Sequence, residues 1–169
     1  MRDNETAMLA VQSALTGHLV LSTLHTNDAA TALPRLIDMN IEPFLVASTV
    51  NVIIAQRLIR KICEKCRVSY TAKPIDISQH IPKDLVNQVF GETTKSIRLY
   101  HGTGCPVCHS TGYQGRVGVF EVLEMSDAIR ELIGQKADAD LITKKAIEEG
   151  MTTMMIDGLH KVQQGVTTI

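Results

Sequence analysis

Residues 17–28 have the sequence GHLVLSTLHTND, and this stretch decides the fold that we predict for the chain. Its middle, residues 19–24, is an uncharged run of apolar and β-branched residues, typical of a strand buried on both faces of a parallel sheet. Residues 25–28 are polar and include good N-caps for a helix over about residues 29–39. Open α/β sheets bind their ligands at the carboxyl ends of their strands. The free N–H groups at the N-terminus of the following helix favour an anion such as phosphate. The alternative is ordinary capping with one hydrogen-bonded histidine.

The elements predicted around this stretch indicate an incomplete sheet. An amphipathic helix that begins at residue 3 or 4 precedes it, and no strand precedes that helix. Further on, we predict a helix over about residues 44–54 with Pro43 in its first turn, and then a half-buried strand over 55–62. Because a buried parallel strand needs neighbours on both sides, we expect residues 1–60 to be the second half of a larger α/β domain.

Two CxxC pairs carry the strongest chemical signal in the sequence: Cys63 with Cys66, and Cys105 with Cys108. Four thiolates in a tetrahedral array suit Zn²⁺ and leave no position for water, so the predicted site is structural. A predicted helix over residues 78–90 lies between the pairs, so the metal would hold the base of an inserted subdomain. Zinc ligation in small domains contributes roughly 10–16 kcal/mol of apparent binding energy. The alternative is a pair of redox-active or free thiols.

The C-terminal third is predicted to be one strand followed by helices. Glycines and cap residues mark its boundaries. The predicted elements are a strand over residues 116–123 and helices over 126–134, over 138–149 and from 152 or 153 to about 165.

Composition sets limits on the partners. The formal net charge is −1 and the charges are well mixed, so we expect no binding to nucleic acid or to anionic membrane. No apolar run reaches membrane-spanning length and the N-terminus is charged, so we predict no transmembrane helix or signal peptide. Without an export signal, a metal site in the cytosol is favoured over disulfides.

Two other functions fit parts of the chain. One is a zinc ribbon that binds nucleic acid, since basic residues cluster beside the first pair: Arg57, Arg60, Lys61, Lys65 and Arg67. Aromatic residues for base stacking are nearly absent there. The other is a zinc-dependent chaperone module, because residues 105–112 partly resemble the CxxCxGxG knuckle of DnaJ-type chaperones. Only one copy fits, and Ser110 replaces the first glycine of that knuckle.

Several motifs taken together resemble the secretion ATPase superfamily, and they cover the whole chain in order. The cysteine pairs indicate its type II secretion and type IV pilus assembly branch, the extension motors that carry a tetracysteine zinc subdomain. The motifs are RDNET at 2–6, GHLVLSTLHTN at 17–27, QRLIRKIC at 56–63, GRVGVFE at 115–121 and DGLHKVQQG at 157–165.

The resemblance implies an α/β fold with a partial RecA-like P-loop NTPase core. It places the C-terminal part of that core in residues 1–61, a tetracysteine zinc subdomain in 62–112, and a strand with helices in 113–169. It also implies a cytoplasmic homo-hexamer, peripheral at the inner membrane, that uses ATP and Mg²⁺. Such a motor acts on a polytopic platform protein and so drives pilin or pseudopilin assembly.

The resemblance also assigns roles to residues of the His box, residues 17–27. His25 is expected near the γ-phosphate of ATP, and His18 helps to shape the same segment. Thr26 joins these two histidines as a nucleotide-binding candidate. Cys63, Cys66, Cys105 and Cys108 are the zinc ligands of the family.

Other residues receive catalytic or intersubunit roles by the same resemblance. Arg2, Asp3 and Glu5 belong to the tail of the Walker B region, and Arg2 and Glu5 are catalytic candidates together with His25. Arg35, Arg57 and Arg60 are candidates for contacts across a subunit boundary, where an arginine finger contributes roughly 10³-fold or more to the rate. The alternative for each arginine is a salt bridge or a solvated face.

The chain departs from the family pattern in what it lacks. No G-x-x-x-x-G-K-[ST] motif occurs, so the loop that cradles the phosphates is missing, and so is the Walker B glutamate expected before Arg2. We therefore expect a C-terminal piece of a motor, beginning just past Walker B, that does not hydrolyse ATP alone. Its exposed strand edges are expected to cause self-association.

Overall fold

The computed structural model describes residue 1, residues 3–92 and residues 94–169. Within that part of the chain the fold is mixed α/β, with two small sheets formed by β1 with β4 and by β2 with β3. The helices are α1 (Asn4–Leu15), α2 (Ala32–Asp38), α3 (Pro43–Thr49), α4 (Pro74–Ile77), α5 (Lys83–Phe90), α6 (Asp127–Gly134), α7 (Ala139–Glu148) and α8 (Met154–Gln163). The strands are β1 (Val52–Ile62), β2 (Arg67–Ala72), β3 (Ile97–Gly102) and β4 (Tyr113–Glu124).

The chain divides into two compact units. The first unit comprises Met1–Ala55 and Glu121–Thr153, and the second comprises Gln56–Phe120 and Met154–Ile169. Strands β1 and β4 therefore each contribute residues to both units. Among the described residues, no helix is both long enough and apolar enough to cross a lipid bilayer.

Helices build the first unit around an aliphatic core. The Asp3 carboxylate accepts the Thr6 N–H at 2.8 Å and Ser126 caps α6, so the predicted starts of these two helices are confirmed. Asp138, predicted to lie inside its helix, caps α7. Gly17 has φ +86° and follows the last turn of α1, as is typical of the glycine that ends a helix. The fully buried side chains of this core include Leu33, Ile41, Val46, Leu123, Ile129, Ile133 and Ile142.

The stretch on which the fold prediction rests is not a strand in this structure. Residues 18–26 have no regular secondary structure, and Leu19 and Leu21 are each 87% exposed. Leu24 alone of its leucines packs against the core of the first unit. The prediction of a buried parallel strand is therefore wrong for this structure, because no described strand lies beside residues 19–24 to accept their backbone hydrogen bonds.

The helix predicted over residues 44–54 is shorter than expected. Pro43 opens α3 as predicted, but α3 ends at Thr49 and β1 has begun by Val52. The predicted strand over 55–62 is the second part of β1. Periodicity alone did not separate the two elements, because residues 50–54 are apolar except for Asn51 and suit either one.

The second unit contains an antiparallel pair that we did not predict from the sequence. Strands β2 and β3 pair from Arg67 opposite Gly102 to Ala72 opposite Ile97. Ile97 and Leu99 pack on one side with α5 and α8 to form the core of this unit. The helix predicted over residues 78–90 is shorter than expected, because α5 begins only at Lys83, just after Pro82, where proline fits a helix start. The short helix α4 lies before the predicted range and ends at Ile77.

Candidate metal centre and histidine cavity

The two CxxC pairs meet in the second unit. All four Sγ atoms lie within 4.8 Å of one another, and Cys63, Cys66 and Cys108 are buried. Three of the Sγ–Sγ distances are 3.9 Å for Cys63–Cys105, 3.8 Å for Cys66–Cys108 and 3.7 Å for Cys105–Cys108. A disulfide would bring two sulfur atoms to about 2.05 Å, so these thiols are not oxidised to one another.

These distances fit one tetrahedral metal ion. Four sulfur ligands at about 2.3 Å from Zn²⁺ have tetrahedral edges of about 3.8 Å. The observed separations of 3.7 to 3.9 Å match that edge. The cluster therefore has the size of a tetrahedral metal site, and its four sulfur atoms complete a tetrahedron without a fifth ligand.

Glycines allow the loops that carry the cysteines to approach each other closely. A Cβ on Gly102 would lie 2.1 Å from the Gly112 carbonyl oxygen, and a Cβ on Gly104 would lie 2.8 Å from that of Ser110. The Gly112 carbonyl accepts the Cys63 N–H at 3.0 Å, which joins the second knuckle to the first. Gly102 and Gly112 are thus required by backbone contact across the site.

The backbone prepares one thiol for metal binding. Cys108 Sγ accepts the N–H groups of Cys105 at 3.2 Å and Gly112 at 3.3 Å. Burial raises the pKa of Cys108, but these backbone donors and the neighbouring thiols outweigh burial and lower it to about 6. Burial raises the pKa of Cys66 to about 11. The cluster therefore offers a thiolate near neutral pH, which is the form that binds metal.

The basic residues beside the first pair have partners within the second unit. The Arg60 guanidinium lies 4.1 Å from the centre of the Tyr113 ring, and Arg67 donates to the Gly165 carbonyl at 3.0 Å. Lys61 pairs with Glu64 at 2.8 Å. A nucleic-acid surface needs cations that are free to meet phosphates, and these three contacts favour a structural role instead.

His25 lines a cavity of about 180 Å³ in the first unit. Arg35, from α2, lines the same cavity, and its other walls are Met1, Leu24 and Met39. Both polar side chains are exposed. Two basic groups around one small opening can receive an anion, such as a phosphate, from solvent.

The turn after His25 uses its N–H groups internally. The Ala29 N–H donates to the Glu121 carboxylate at 3.0 Å, and the Asp28 carboxylate accepts the Thr31 N–H at 2.8 Å. The first N–H groups of α2, those of Ala32 and Leu33, donate to the Ala29 and Ala30 carbonyls. The N–H groups predicted to bind phosphate at the start of this helix therefore have partners within the chain. The side chains of His25 and Arg35 beside the cavity, rather than helix N–H groups, are what an anion would meet.

Glu121 is a residue that the sequence reasoning missed. It is 6% exposed and holds the turn that follows the His box. It lies in the quoted motif GRVGVFE, for which we predicted a strand but no role. A signal was present, because Val119, Glu121 and Leu123 alternate along that strand on its buried side and Glu121 is the charged one of the three.

The other predicted site residues are dispersed. Glu5 is exposed in the first turn of α1, and Arg2 lies outside the described residues. His18 Nδ1 is 3.0 Å from the Thr16 hydroxyl, and the Thr26 hydroxyl donates to the Asp28 carbonyl at 3.0 Å. Arg57 and Arg60 both belong to β1 within the second unit.

Known proteins match this chain over its whole length. The family described as "Type II/IV secretion system protein" matches residues 1–169. The chain is 41% identical over 173 residues to the type IV pilus assembly ATPase PilB of Myxococcus xanthus. It is 44% identical over 170 residues to the type II secretion system ATPase E of Vibrio cholerae. Each match includes all of this chain but only 29% and 32%, respectively, of the relative, so the chain spans less than a third of their lengths.

Proposed function

We propose that this chain, which belongs to the type II/IV secretion system protein family, forms the C-terminal portion of an ATPase. That ATPase powers pilin or pseudopilin assembly or protein secretion. The observation that carries this proposal is the match over the full chain to relatives named as pilus assembly and secretion ATPases. The cysteine cluster supports the assembly branch, whose members carry a tetracysteine subdomain by the resemblance described above. The relatives named above give no support to the nucleic-acid or chaperone alternatives.

In this proposal, residues 1–61 complete a RecA-like core when the preceding strands are supplied. Residues 62–112 form the zinc subdomain and residues 113–169 the C-terminal strand and helices. The exposed leucines of residues 19–24 support the first assignment, since they have the composition of a buried strand and lack only neighbours.

Zinc is the metal that we propose for the four-cysteine site, in a structural role. All-thiolate tetrahedral sites favour Zn²⁺, and the sulfur separations fit its bond length. ATP and Mg²⁺ would bind the assembled motor, where a P-loop from outside this chain cradles the phosphates.

The cavity beside His25 supports a role at the γ-phosphate. His25 would donate a hydrogen bond there, and charge stabilisation of this kind dominates phosphoryl transfer. Arg35 lines the same cavity in the same unit, which favours action on that phosphate within one subunit over action across a boundary. Arg60 is stacked on Tyr113 within the second unit, and Arg57 and Arg60 keep the intersubunit roles that the resemblance implies. Glu5, Arg2, His18 and Thr26 keep the roles that the resemblance implies.

The partners follow from the same proposal. We expect a homo-hexamer in the cytoplasm, held at the inner membrane through a platform protein, with no nucleic acid involved. Alone, the chain is expected to bind copies of itself through residues 19–24, where Leu19 and Leu21 face solvent.

A hybrid protein tests the ATPase assignment. This chain would replace the matching 170 residues of the Vibrio cholerae ATPase E, and ATP hydrolysis would be measured for the hybrid and for this chain alone. We expect turnover by the hybrid and none by the chain. In the hybrid, His25→Ala should lower kcat by about 100-fold, as loss of a transition-state hydrogen bond does.

The control is His80→Ala, because His80 is an exposed histidine of the second unit. It should leave kcat unchanged. A hybrid that assembles and binds ATP but does not hydrolyse it would contradict the proposal. Equal rates for the His25 and His80 variants would remove the role assigned to His25 alone.

A further inference from the structure

The segment that follows α8 in the second unit contacts the chain beside both cysteine pairs. We call residues 165–168, which follow α8, the C-terminal strap. The Gly165 N–H closes the end of α8 by donating to the Val162 carbonyl at 2.9 Å, and Val166 donates to the Lys161 carbonyl at 2.9 Å. Thr167 is buried at 6% exposure, so the strap is part of the packed interior of this unit.

The strap accepts hydrogen bonds from the residues on both sides of the first cysteine pair. The Val166 carbonyl accepts the N–H of Ile62, the residue before Cys63, at 2.8 Å. The Gly165 carbonyl accepts from the guanidinium of Arg67, the residue after Cys66, at 3.0 Å. The ends of the first knuckle are thus tied to two consecutive carbonyls.

The strap reaches the second cysteine pair through Tyr113. The Tyr113 and Thr168 hydroxyl oxygens are 2.9 Å apart. Tyr113 directly follows Gly112, whose N–H donates to Cys108 Sγ and whose carbonyl accepts the Cys63 N–H. The Tyr113 ring also lies against the guanidinium of Arg60, and the Thr167 hydroxyl donates to the Arg60 carbonyl at 2.8 Å.

The start of the strap admits only glycine. Gly165 has φ +72°, and a Cβ there would lie 2.7 Å from the Tyr100 ring. The Arg67 guanidinium lies over the same ring at 5.4 Å from its centre. A side chain at residue 165 would therefore lift the strap away from the segment that carries Cys66.

We propose that the C-terminal strap is a positioning part of the metal centre, and that metal binding and docking of the strap are linked. The strap holds the chain segments before Cys63, after Cys66 and after Cys108 at the spacing at which four sulfur atoms meet. If docking of the strap raises the affinity for metal by some factor, bound metal must raise the equilibrium constant for docking of the strap by the same factor. This inference concerns the second unit and does not depend on the ATPase assignment.

The first test measures zinc affinity on the purified chain by competition with a coloured chelator. Thr167→Val removes the hydroxyl that bonds to Arg60 and keeps the branched shape, and Thr167→Ser keeps the hydroxyl. We expect about one Zn²⁺ per chain, a Kd raised about fivefold by the valine variant, and a Kd close to the original for the serine variant. Gly165→Val should raise the Kd further, by about 10- to 100-fold.

The matched control is Thr71→Val, because Thr71 is an exposed threonine of β2 in the same unit, with no side-chain hydrogen bond in the described part of the chain. It should leave the zinc Kd unchanged. Equal Kd values for the Thr167→Val and Thr71→Val variants would overturn the proposal.

The second test measures the linkage in the other direction and needs no variant. Amide hydrogen exchange of Ile62, whose N–H bonds to the strap, would be followed with zinc and after chelation. We expect chelation to speed this exchange at least tenfold, while the Met125 amide, bonded to Asn51 in the first unit, changes little. Unchanged protection of Ile62 after complete zinc removal would refute the linkage even if a strap variant fails to fold.

Discussion

The carboxylate of Glu121 closes the turn that follows the His box. It accepts a hydrogen bond from the N–H of Ala29, a fully buried residue that lies 92 positions earlier in the chain. A buried N–H without a partner costs about 1–3 kcal/mol, so this one contact has a large share in the stability of the turn. Through it, β4 supports the segment that carries His25.

Glu121→Ala should lower the free energy of unfolding by about 2 kcal/mol, because the Ala29 N–H then loses its acceptor. Glu121→Gln keeps a side-chain oxygen for that N–H and should cost less. Urea unfolding of the chain measures both variants. Glu124→Ala, an exposed glutamate of the same strand, is the control and should change the free energy of unfolding by less than about 0.5 kcal/mol. An equal loss for Glu121→Ala and Glu124→Ala would contradict the role of Glu121.

At the scale of elements, Asp157 joins α8 to β4 within the second unit. Its carboxylate accepts the Phe120 N–H at 2.8 Å and pairs with Lys161 one helical turn later. Burial raises the pKa of Asp157, but the Lys161 ammonium and the Phe120 N–H outweigh burial, so the pKa lies below its usual value of 3.8. The charged form of this carboxylate therefore stabilises the contact between the two elements.

This shift predicts a pH dependence of stability. Because the pKa is lower in the folded state, the unfolded state binds more protons below pH 3.8, and stability decreases as the pH falls. Asp157→Asn should cost about 1 kcal/mol at pH 7, and the difference from the unsubstituted chain should shrink below pH 3.8 and vanish under the folded pKa. Thermal unfolding from pH 7 to pH 2 measures this. A difference that stays constant over that range would show that charge is not the cause.

At the scale of the whole molecule, residues 19–24 have the composition of an interior strand on an exposed segment. Leu19 and Leu21 are each 87% exposed, although burial of such side chains is favourable by about 1.5–3 kcal/mol each. An apolar segment with unpaired backbone groups is a template for pairing with another chain. The proposed self-association would bury these leucines between copies.

Light scattering over a range of protein concentrations tests this proposal. The unsubstituted chain should show a mass that rises with concentration, and the double variant Leu19→Lys with Leu21→Lys should remain near the monomer mass of 18.5 kDa. Leu141→Lys is the control, because Leu141 is 51% exposed on α7 and should not affect association. A strictly monomeric unsubstituted chain would contradict the proposal.

Local chemistry made several features of this protein predictable. Asp3 and Ser126 cap their helices because a cap needs only its own side chain and the next turn of backbone. The two CxxC pairs indicated a metal site because ligand type and spacing are written in consecutive residues. The family could be recognised because its motifs are short and occur in a fixed order along the whole chain.

The tertiary structure decided the features that depend on distant partners. Residues 19–24 have no regular secondary structure, although their composition suits a strand, because a strand exists only where a neighbour accepts its hydrogen bonds. Strands β2 and β3 pair across 24 intervening residues, and no local pattern encodes that pairing. Glu121 contacts Ala29, and the C-terminal strap contacts the segments that carry both cysteine pairs. Only the folded chain brings these distant residues together. The sequence alone determined which chemistry is present, whereas packing determined which groups share a site.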